Sequence, residues 1–195
     1  MNPSPHLAAD PTTDATTEDT LTAQAAATPS QADASSAWTE VGSPIGPLRL
    51  VARGAALRAI EFSPYPAAAV EAVGERRDDL PVLRRTAEQL AAYFAGELRD
   101  FDLPLDPGGT PFQQRVWAEL ARIGYGTTTS YGEVARRLGM TGAASRAVGL
   151  ANGRNPIPVV VPCHRVIGAD GRLTGYAGGL ERKQLLLELE SPGLF

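Results

Sequence analysis

The sequence predicts an α+β protein in two parts: a small N-terminal unit of antiparallel strands with one helix, then a helical unit holding a helix-turn-helix. Three observations carry that prediction. Two short apolar runs, Gly46–Arg53 and Ala56–Phe62, flank Gly54 and read as a hairpin. Apolar residues recur at helical spacing from Leu83 and again from Phe112. Between these halves lies Asp106-Pro-Gly-Gly109, a turn cluster that places the domain boundary after residue 106.

Residues 1–36 precede both units and carry five acidic and no basic residues, with almost no large apolar side chains. Such a composition cannot bury enough surface to offset its ordering entropy, so the expectation is a disordered acidic tail. It lacks the basic and apolar regions of a secretory signal, and its acidity is unlike a transit peptide. His6 lies in it and is given no role.

The first unit, residues 37–106, continues past the hairpin to a helix on which Leu83, Ala87, Leu90 and Phe94 share one face, and Gly96 stops it. Leu98–Leu105, interrupted by Pro104, reads as an edge strand or linker. No chemistry is legible here, and the expected role is scaffolding.

The second unit spans 107–195. Thr110 caps a helix that begins at Pro111 and buries Phe112, Val116, Leu120 and Ile123. Ser130-Tyr-Gly-Glu133 has capping-box spacing and starts a second helix through Leu138. After a turn at Gly139–Gly142, Ala143–Asn152 forms a third, and the pair is a helix-turn-helix candidate. The third helix is stripped of bulk: Ala143, Ala144, Ser145, Ala147, Gly149 and Ala151, with Arg146 its one long cation. A minor groove about 6 Å wide excludes an ordinary helix of about 10–12 Å but admits a slimmer one pressed against it. The same composition also suits a helix packed tightly on a neighbour, and both readings stand at this point.

Ile157-Pro-Val-Val-Val-Pro-Cys-His-Arg-Val166 contains the sole cysteine and one of two histidines. The β-branched run predicts a short buried strand, ended by Pro162, with Cys163 where the backbone turns. A lone cysteine is often only a small buried hydrophobe. Here His164 and Arg165 follow directly, and neighbouring cations favour the reactive thiolate. One cysteine excludes an internal disulfide, and two distant histidines offer no metal-ligand spacing, so neither metal nor cofactor is expected. A free thiol fits a reducing cytosol. No apolar run approaches the roughly 18 residues of a membrane span.

Asp170-Gly171 is a type I′ hairpin signal, and Gly175-Tyr-Ala-Gly-Gly179 is a loop where backbone can approach a ligand closely or simply turn. Leu180–Glu190 then forms a helix with Leu185, Leu186 and Leu189 expected inward. Glu190 at its C-terminal end opposes the helix dipole, which suggests a partner such as His164. The net charge of −4 masks an asymmetry. Residues 111–195 hold ten basic and six acidic residues, a local balance suited to a polyanion or to a solvated basic surface.

Phe112-Gln-X-X-Val-Trp117, Thr129-Ser-Tyr-Gly-Glu133, Arg146-Ala-Val, Asn155-Pro-X-Pro, Pro162-Cys-His-Arg-Val166 and Gly175-Tyr-Ala-Gly-Gly-Leu180 occur in this order. Together they resemble the O6-alkylguanine-DNA alkyltransferase family (methylated-DNA–protein-cysteine methyltransferases), in its plainer bacterial form. The resemblance implies a ribonuclease-H-like N-terminal domain, a winged-helix-like C-terminal domain, and a monomer acting on double-stranded DNA. Cys163 would take the alkyl group from O6 of a flipped guanine, or from O4 of thymine, irreversibly and once per molecule. His164 would polarise it through a water, Glu190 would hold His164, and Asn155 would brace the cysteine turn. Arg146 would fill the vacated stack from a minor-groove helix presenting Ala144, Ser145, Ala147 and Gly149. Tyr131 would rotate the 3′ phosphate and donate to the leaving guanine. Pro158, Val166, Tyr176, Ala177 and Gly178 would form the base pocket. Departures from the family pattern are Gly124 for a proline, Ala177 for a hydroxyl-bearing residue, and Leu189 for a histidine.

Two other readings remain at this stage. A cysteine hydrolase would need direct thiol–imidazole contact, which adjacent residues rarely reach. A non-catalytic binder of alkylated DNA belongs to a class that lacks the cysteine.

Overall fold

The structure, a computed structural model, describes residues 35–65 and 73–193. The tail expected to be disordered lies outside the described residues except for Ser35 and Ser36. Strand β1 begins at Ser36, inside the expected tail, and runs to Val41. Its short polar–apolar alternation gave no separate strand signal in the sequence. β2 (Leu48–Arg53) and β3 (Ala56–Phe62) form the expected hairpin, antiparallel with a bulge after Val51. With β4 (Glu75–Arg76) alongside β1 in parallel, the sheet order is β3-β2-β1-β4. β2 is buried at five of six positions, which suits its central place.

Helix α1 (Pro81–Phe94) starts on a proline that needs no hydrogen-bond acceptor and buries Val82, Leu83, Thr86, Leu90 and Tyr93. Gly96 at φ 76° ends it as expected. Residues 98–105 are a linker, touching the sheet where Leu57 N–H donates to the Pro104 carbonyl at 2.8 Å.

In the second half, α2 (Pro111–Leu120) is capped by Thr110, whose hydroxyl accepts from Gln113 N–H while the Gln113 side chain accepts from Thr110 N–H. β5 (Thr129–Ser130) leads into α3 (Tyr131–Arg137). Ser130 accepts from Glu133 N–H, but the capping box is only half made. Glu133 turns outward to Arg136 and Arg137 instead. The third helix starts later than expected. Gly142–Ala144 is a 3₁₀ turn, and α4 runs from Ser145 to Gly153. β6 (Val166–Ile167) pairs in parallel with β5, and α5 (Leu180–Glu190) closes the domain.

Three local expectations are corrected. Residues 157–161 are not a strand but a turn, in which Val161 N–H donates to the Ile157 carbonyl at 2.9 Å and Val159 takes φ 73°. Pro156, Pro158 and Pro162 remove alternate donors that a strand ladder would need. The Asp170-Gly171 signal makes a turn without a hairpin: only Gly171 has positive φ, and β6 pairs with β5 instead. On α5, Leu185 is half exposed and Leu187 is buried in its place.

The two halves share one apolar core, in which Leu48, Leu57 and Tyr93 are continuous with Val116, Ile157 and Leu186. Ile60 N–H donates to Pro156 O at 2.9 Å, and the Arg182 guanidinium donates to Ile45 O and Ser63 O at 2.7 and 2.9 Å. The N-terminal sheet is thereby seated directly against the cysteine-bearing segment.

Candidate active site and nucleic-acid interface

Cys163 opens a one-turn 3₁₀ helix, Cys163–Arg165, directly after the proline-rich turn. The turn holds its shape through Asn155. The side-chain Nδ2 donates to Val161 O at 2.7 Å, and Oδ1 accepts from Ile157 N–H at 3.0 Å. These are the bonds a neighbouring strand would otherwise make. Asn152, at the end of α4, donates more weakly to Cys163 O at 3.4 Å.

Burial governs the thiol. Cys163 is 3 % exposed, and loss of solvent pushes its pKa up to about 11, against smaller lowering influences from Asn155 and the Lys183 charge. At neutral pH the resting group is therefore a thiol, and its reaction needs a proton acceptor.

Behind it lies a buried relay. His164 Nε2 and Glu190 Oε1 are 2.8 Å apart. Burial by itself would raise the Glu190 pKa, but hydrogen bonds from His164 and Arg165 outweigh it and bring it down to about 2. An ionised carboxylate only accepts, so His164 Nε2 must carry the proton. Nδ1 then holds a bare lone pair, buried and without a partner among the described residues. Burial lowers the His164 pKa, helped by the Arg165 and Lys183 charges, against the opposing pull of Glu190. Arg165 Nε and Nη2 donate to its two oxygens at 2.8 and 2.9 Å, and Nη1 donates to Ile123 O. The imidazole is thus neutral, oriented, and free to accept at Nδ1.

The β5–β6 pairing sets Thr129 opposite Val166 and Ser130 opposite Ile167, so the next residue, Tyr131, starts α3 beside the cysteine turn. Its hydroxyl accepts from Thr174 Oγ1 at 2.8 Å, and burial raises its pKa. Gly149 of α4 faces the Tyr131 ring, where an added methyl would sit 3.7 Å from it. Lys183, fully buried, donates to Val166 O at 2.6 Å and Thr174 O at 3.0 Å, and burial lowers its pKa to about 8. Tyr176 has a buried hydroxyl without a partner among the described residues. Gly178 leaves no room for a side chain, since a Cβ there would meet the Phe62 ring at 2.9 Å. Pro158 and Ala177 line a pocket of about 300 Å³ together with Asn155 and Phe62.

On α4, Arg146 and Ala147 are exposed and Ser145 is half-buried, as is Ala144 in the 3₁₀ turn just before it. Arg146 and Arg154 make no ion pair among the described residues. Arg122, Arg136 and Arg137, by contrast, are engaged by Glu119 and Glu133. The helix is anchored from behind by Trp117, whose indole N–H donates to Ala151 O at 2.9 Å. Cys163, His164, Glu190, Asn155 and Tyr131 thus gather at one place, with Arg146 on the adjoining helix. Sequence reasoning missed Lys183 and Tyr93, and it read Arg165 only as a cation beside the thiol, not as a partner of Glu190. Only burial marks them, because an arginine, a lysine or a tyrosine in a helical pattern ordinarily reads as surface or core.

The shielded thiol, the His164–Glu190 pair behind it and Arg146 on the adjoining helix all belong to the helical half. Comparison with known proteins places the chain. Residues 37–107 match the 6-O-methylguanine DNA methyltransferase ribonuclease-like domain, and residues 111–192 match the DNA-binding domain of the same family. The methylated-DNA–protein-cysteine methyltransferase of Mycobacterium bovis is 54 % identical over 156 residues, covering 78 % of this chain and 91 % of its own. That of Methanosarcina acetivorans is 50 % identical, covering 76 % and 94 %. Among solved structures, Mycobacterium tuberculosis O6-methylguanine methyltransferase superposes with TM-score 0.73 at 48 % identity, covering 81 % of this chain and 96 % of that one. The same organism's protein in complex with DNA gives 0.71 at 51 % identity, covering 79 % and 92 %. The chain belongs to the 6-O-methylguanine DNA methyltransferase family.

Proposed function

We propose that this protein repairs DNA by direct reversal, moving a methyl or larger alkyl group from O6 of guanine, and from O4 of thymine, onto its own Cys163. The observation that carries this reading is the buried thiol set beside a neutral His164 whose proton position is dictated by Glu190 at 2.8 Å. The Sγ proton passes to His164 Nδ1 through one bridging water. The S–C bond forms as the C–O6 bond breaks, and the electron pair goes to the purine. The Tyr131 hydroxyl donates a proton to that leaving base and recovers one from solvent. The thioether has no good leaving group, so each molecule acts once.

DNA meets the helical half. α4 lies in the minor groove with Ala144, Ser145, Ala147 and Gly149 against the backbone, and Arg146 fills the stack that the flipped nucleotide leaves. Tyr131 turns the 3′ phosphate. Val166, Tyr176, Ala177, Gly178 and Pro158 enclose the base. The protein works as a monomer in a reducing cytoplasm, so a stable dimer in sedimentation without DNA would contradict that part. The described residues hold no group of His, Cys, Asp and Glu able to bind a metal, and the displacement asks for none.

Intact-protein and peptide mass after incubation with a duplex containing O6-methylguanine tests the reading. A single methylene gain on the Cys163 peptide, never exceeding one per molecule, is expected. Repair without mass gain would mean a turnover enzyme. Binding with neither repair nor mass gain would mean a non-catalytic lesion binder. Either outcome would overturn the proposal.

A further inference from the structure

The N-terminal domain reaches into the relay. Tyr93, on α1, is completely buried, and its hydroxyl donates to Glu190 Oε1 at 2.7 Å. The same oxygen accepts from His164 Nε2 at 2.8 Å and Arg165 Nη2 at 2.9 Å, while Oε2 accepts from Arg165 Nε at 2.8 Å and Gly126 N–H at 3.1 Å. Three donors therefore share one carboxylate oxygen, and each weakens the hold of the others. The aromatic surroundings of Tyr93 (Phe94, Phe101 and Tyr125, with ring centroids 5.2 to 6.1 Å away) would be served equally by phenylalanine. What phenylalanine could not supply is the hydroxyl donor.

We propose that Tyr93 is a positioning residue for alkyl transfer, through which the N-terminal domain sets how strongly Glu190 holds His164 and hence how basic His164 Nδ1 is. The inference rests on the relay reading above. Arg165, Lys183, Cys163, Tyr125, Tyr176 and Arg182 also face this cluster from the C-terminal half, and Arg99 of the N-terminal half lies over the Tyr125 ring; among the described residues, Tyr93 is the N-terminal group that bonds Glu190 itself. Burial, followed by the Glu190 charge, raises the Tyr93 pKa, so the phenol remains a donor at every working pH. Without it, Oε1 has two donors left and its bond to His164 strengthens. The imidazolium is then favoured, and Nδ1 becomes the stronger base.

The test is the pH dependence of the single-turnover transfer rate from an O6-methylguanine duplex, with the His164 ring followed by nitrogen NMR. In Tyr93→Phe, the acid limb of the rate profile and the His164 titration should both move up by about half to one pH unit. With 3,5-difluorotyrosine at position 93, a more acidic donor of nearly the same shape, both should move down. DNA affinity should be unchanged in both. Unmoved profiles accompanied by a lower melting temperature would overturn the inference and leave a structural tyrosine. If Tyr93→Phe fails to fold, the fluorinated protein decides alone. Glu190→Gln and His164→Gln are measured in parallel. Wild-type rates in those variants would sink the relay reading and this inference with it. Slow transfer in them, with unmoved Tyr93 profiles, would sink the inference alone.

Discussion

The Asn155 side chain donates to the Val161 carbonyl at 2.7 Å and accepts from Ile157 N–H at 3.0 Å, spanning the segment that delivers Cys163. One amide thereby replaces a missing strand neighbour. Asn155→Ala leaves both buried backbone groups unsatisfied, which should cost about 2–4 kcal/mol of stability. Transfer should slow by an order of magnitude or more as the thiol loses its fixed position. Urea denaturation and single-turnover rates measure the two effects separately.

Arg146 should matter to DNA and to nothing else. It is exposed and free of ion pairs among the described residues, so Arg146→Ala should alter stability by no more than about 0.5 kcal/mol. Transfer from duplex should fall at least tenfold, while alkylation by free O6-benzylguanine should be unaffected. The salt dependence of duplex binding should lose about one unit of log–log slope if the guanidinium contacts phosphate, and less if it only stacks. Equal losses with duplex and free base would contradict its assignment to the DNA face.

The glycine-rich loop offers a paired comparison. A methyl at Gly178 would meet the Phe62 ring at 2.9 Å and the Tyr176 ring at 3.0 Å, whereas one at Gly175 meets nothing within 4 Å among the described residues. Gly178→Ala should cost about 1–3 kcal/mol by overpacking and impair transfer. Gly175→Ala should leave stability close to wild type. Thermal melts and benzylguanine labelling of both proteins, side by side, distinguish crowding from a general intolerance of the loop.

Acid should expose Glu190. Its folded pKa, about 2, lies below the ordinary 4.5 because His164 and Arg165 hold its charged form against the cost of burial. A depressed carboxylate contributes stability that is fully present above the unfolded value and is lost as pH falls from there through the folded value. Melting temperature should therefore decline between about pH 5 and pH 2, more steeply than in Glu190→Gln. Parallel curves for the two proteins would refute the charge pairing. At neutral pH, Glu190→Gln should also be destabilised, since it leaves the Arg165 cation buried without its carboxylate.

Much of the second half is legible in the sequence. Thr110-Pro111, the Phe112–Ile123 stripe and the Ser130 cap depend on contacts within one or two turns, and local sequence carries those. The motifs around Arg146, Asn155 and Cys163 were legible as residue types at set spacings. Residues 157–161 misled for a physical reason: β-branched composition favours a strand, but three prolines strip the ladder of donors and Asn155 supplies the bonds instead. Asp170-Gly171 misled likewise, because a turn signal says nothing about which strand its neighbours will pair with.

The sequence by itself determined the two-part α+β plan, the helix limits to within a few residues, the single thiol and the small-residue helix bearing Arg146. Local propensity and covalent identity suffice for all of these. Only the tertiary structure decided what stands behind the thiol. The helix-end carboxylate suggested His164 as a partner, but the sharing of Glu190 with Arg165 and with Tyr93, 97 residues away along the chain, follows from no local rule. Packing the N-terminal sheet and helix against the cysteine domain removes water from that point. In the dry interior, one carboxylate then gathers a histidine, an arginine and a tyrosine, because burial without those partners would cost more than the fold can bear.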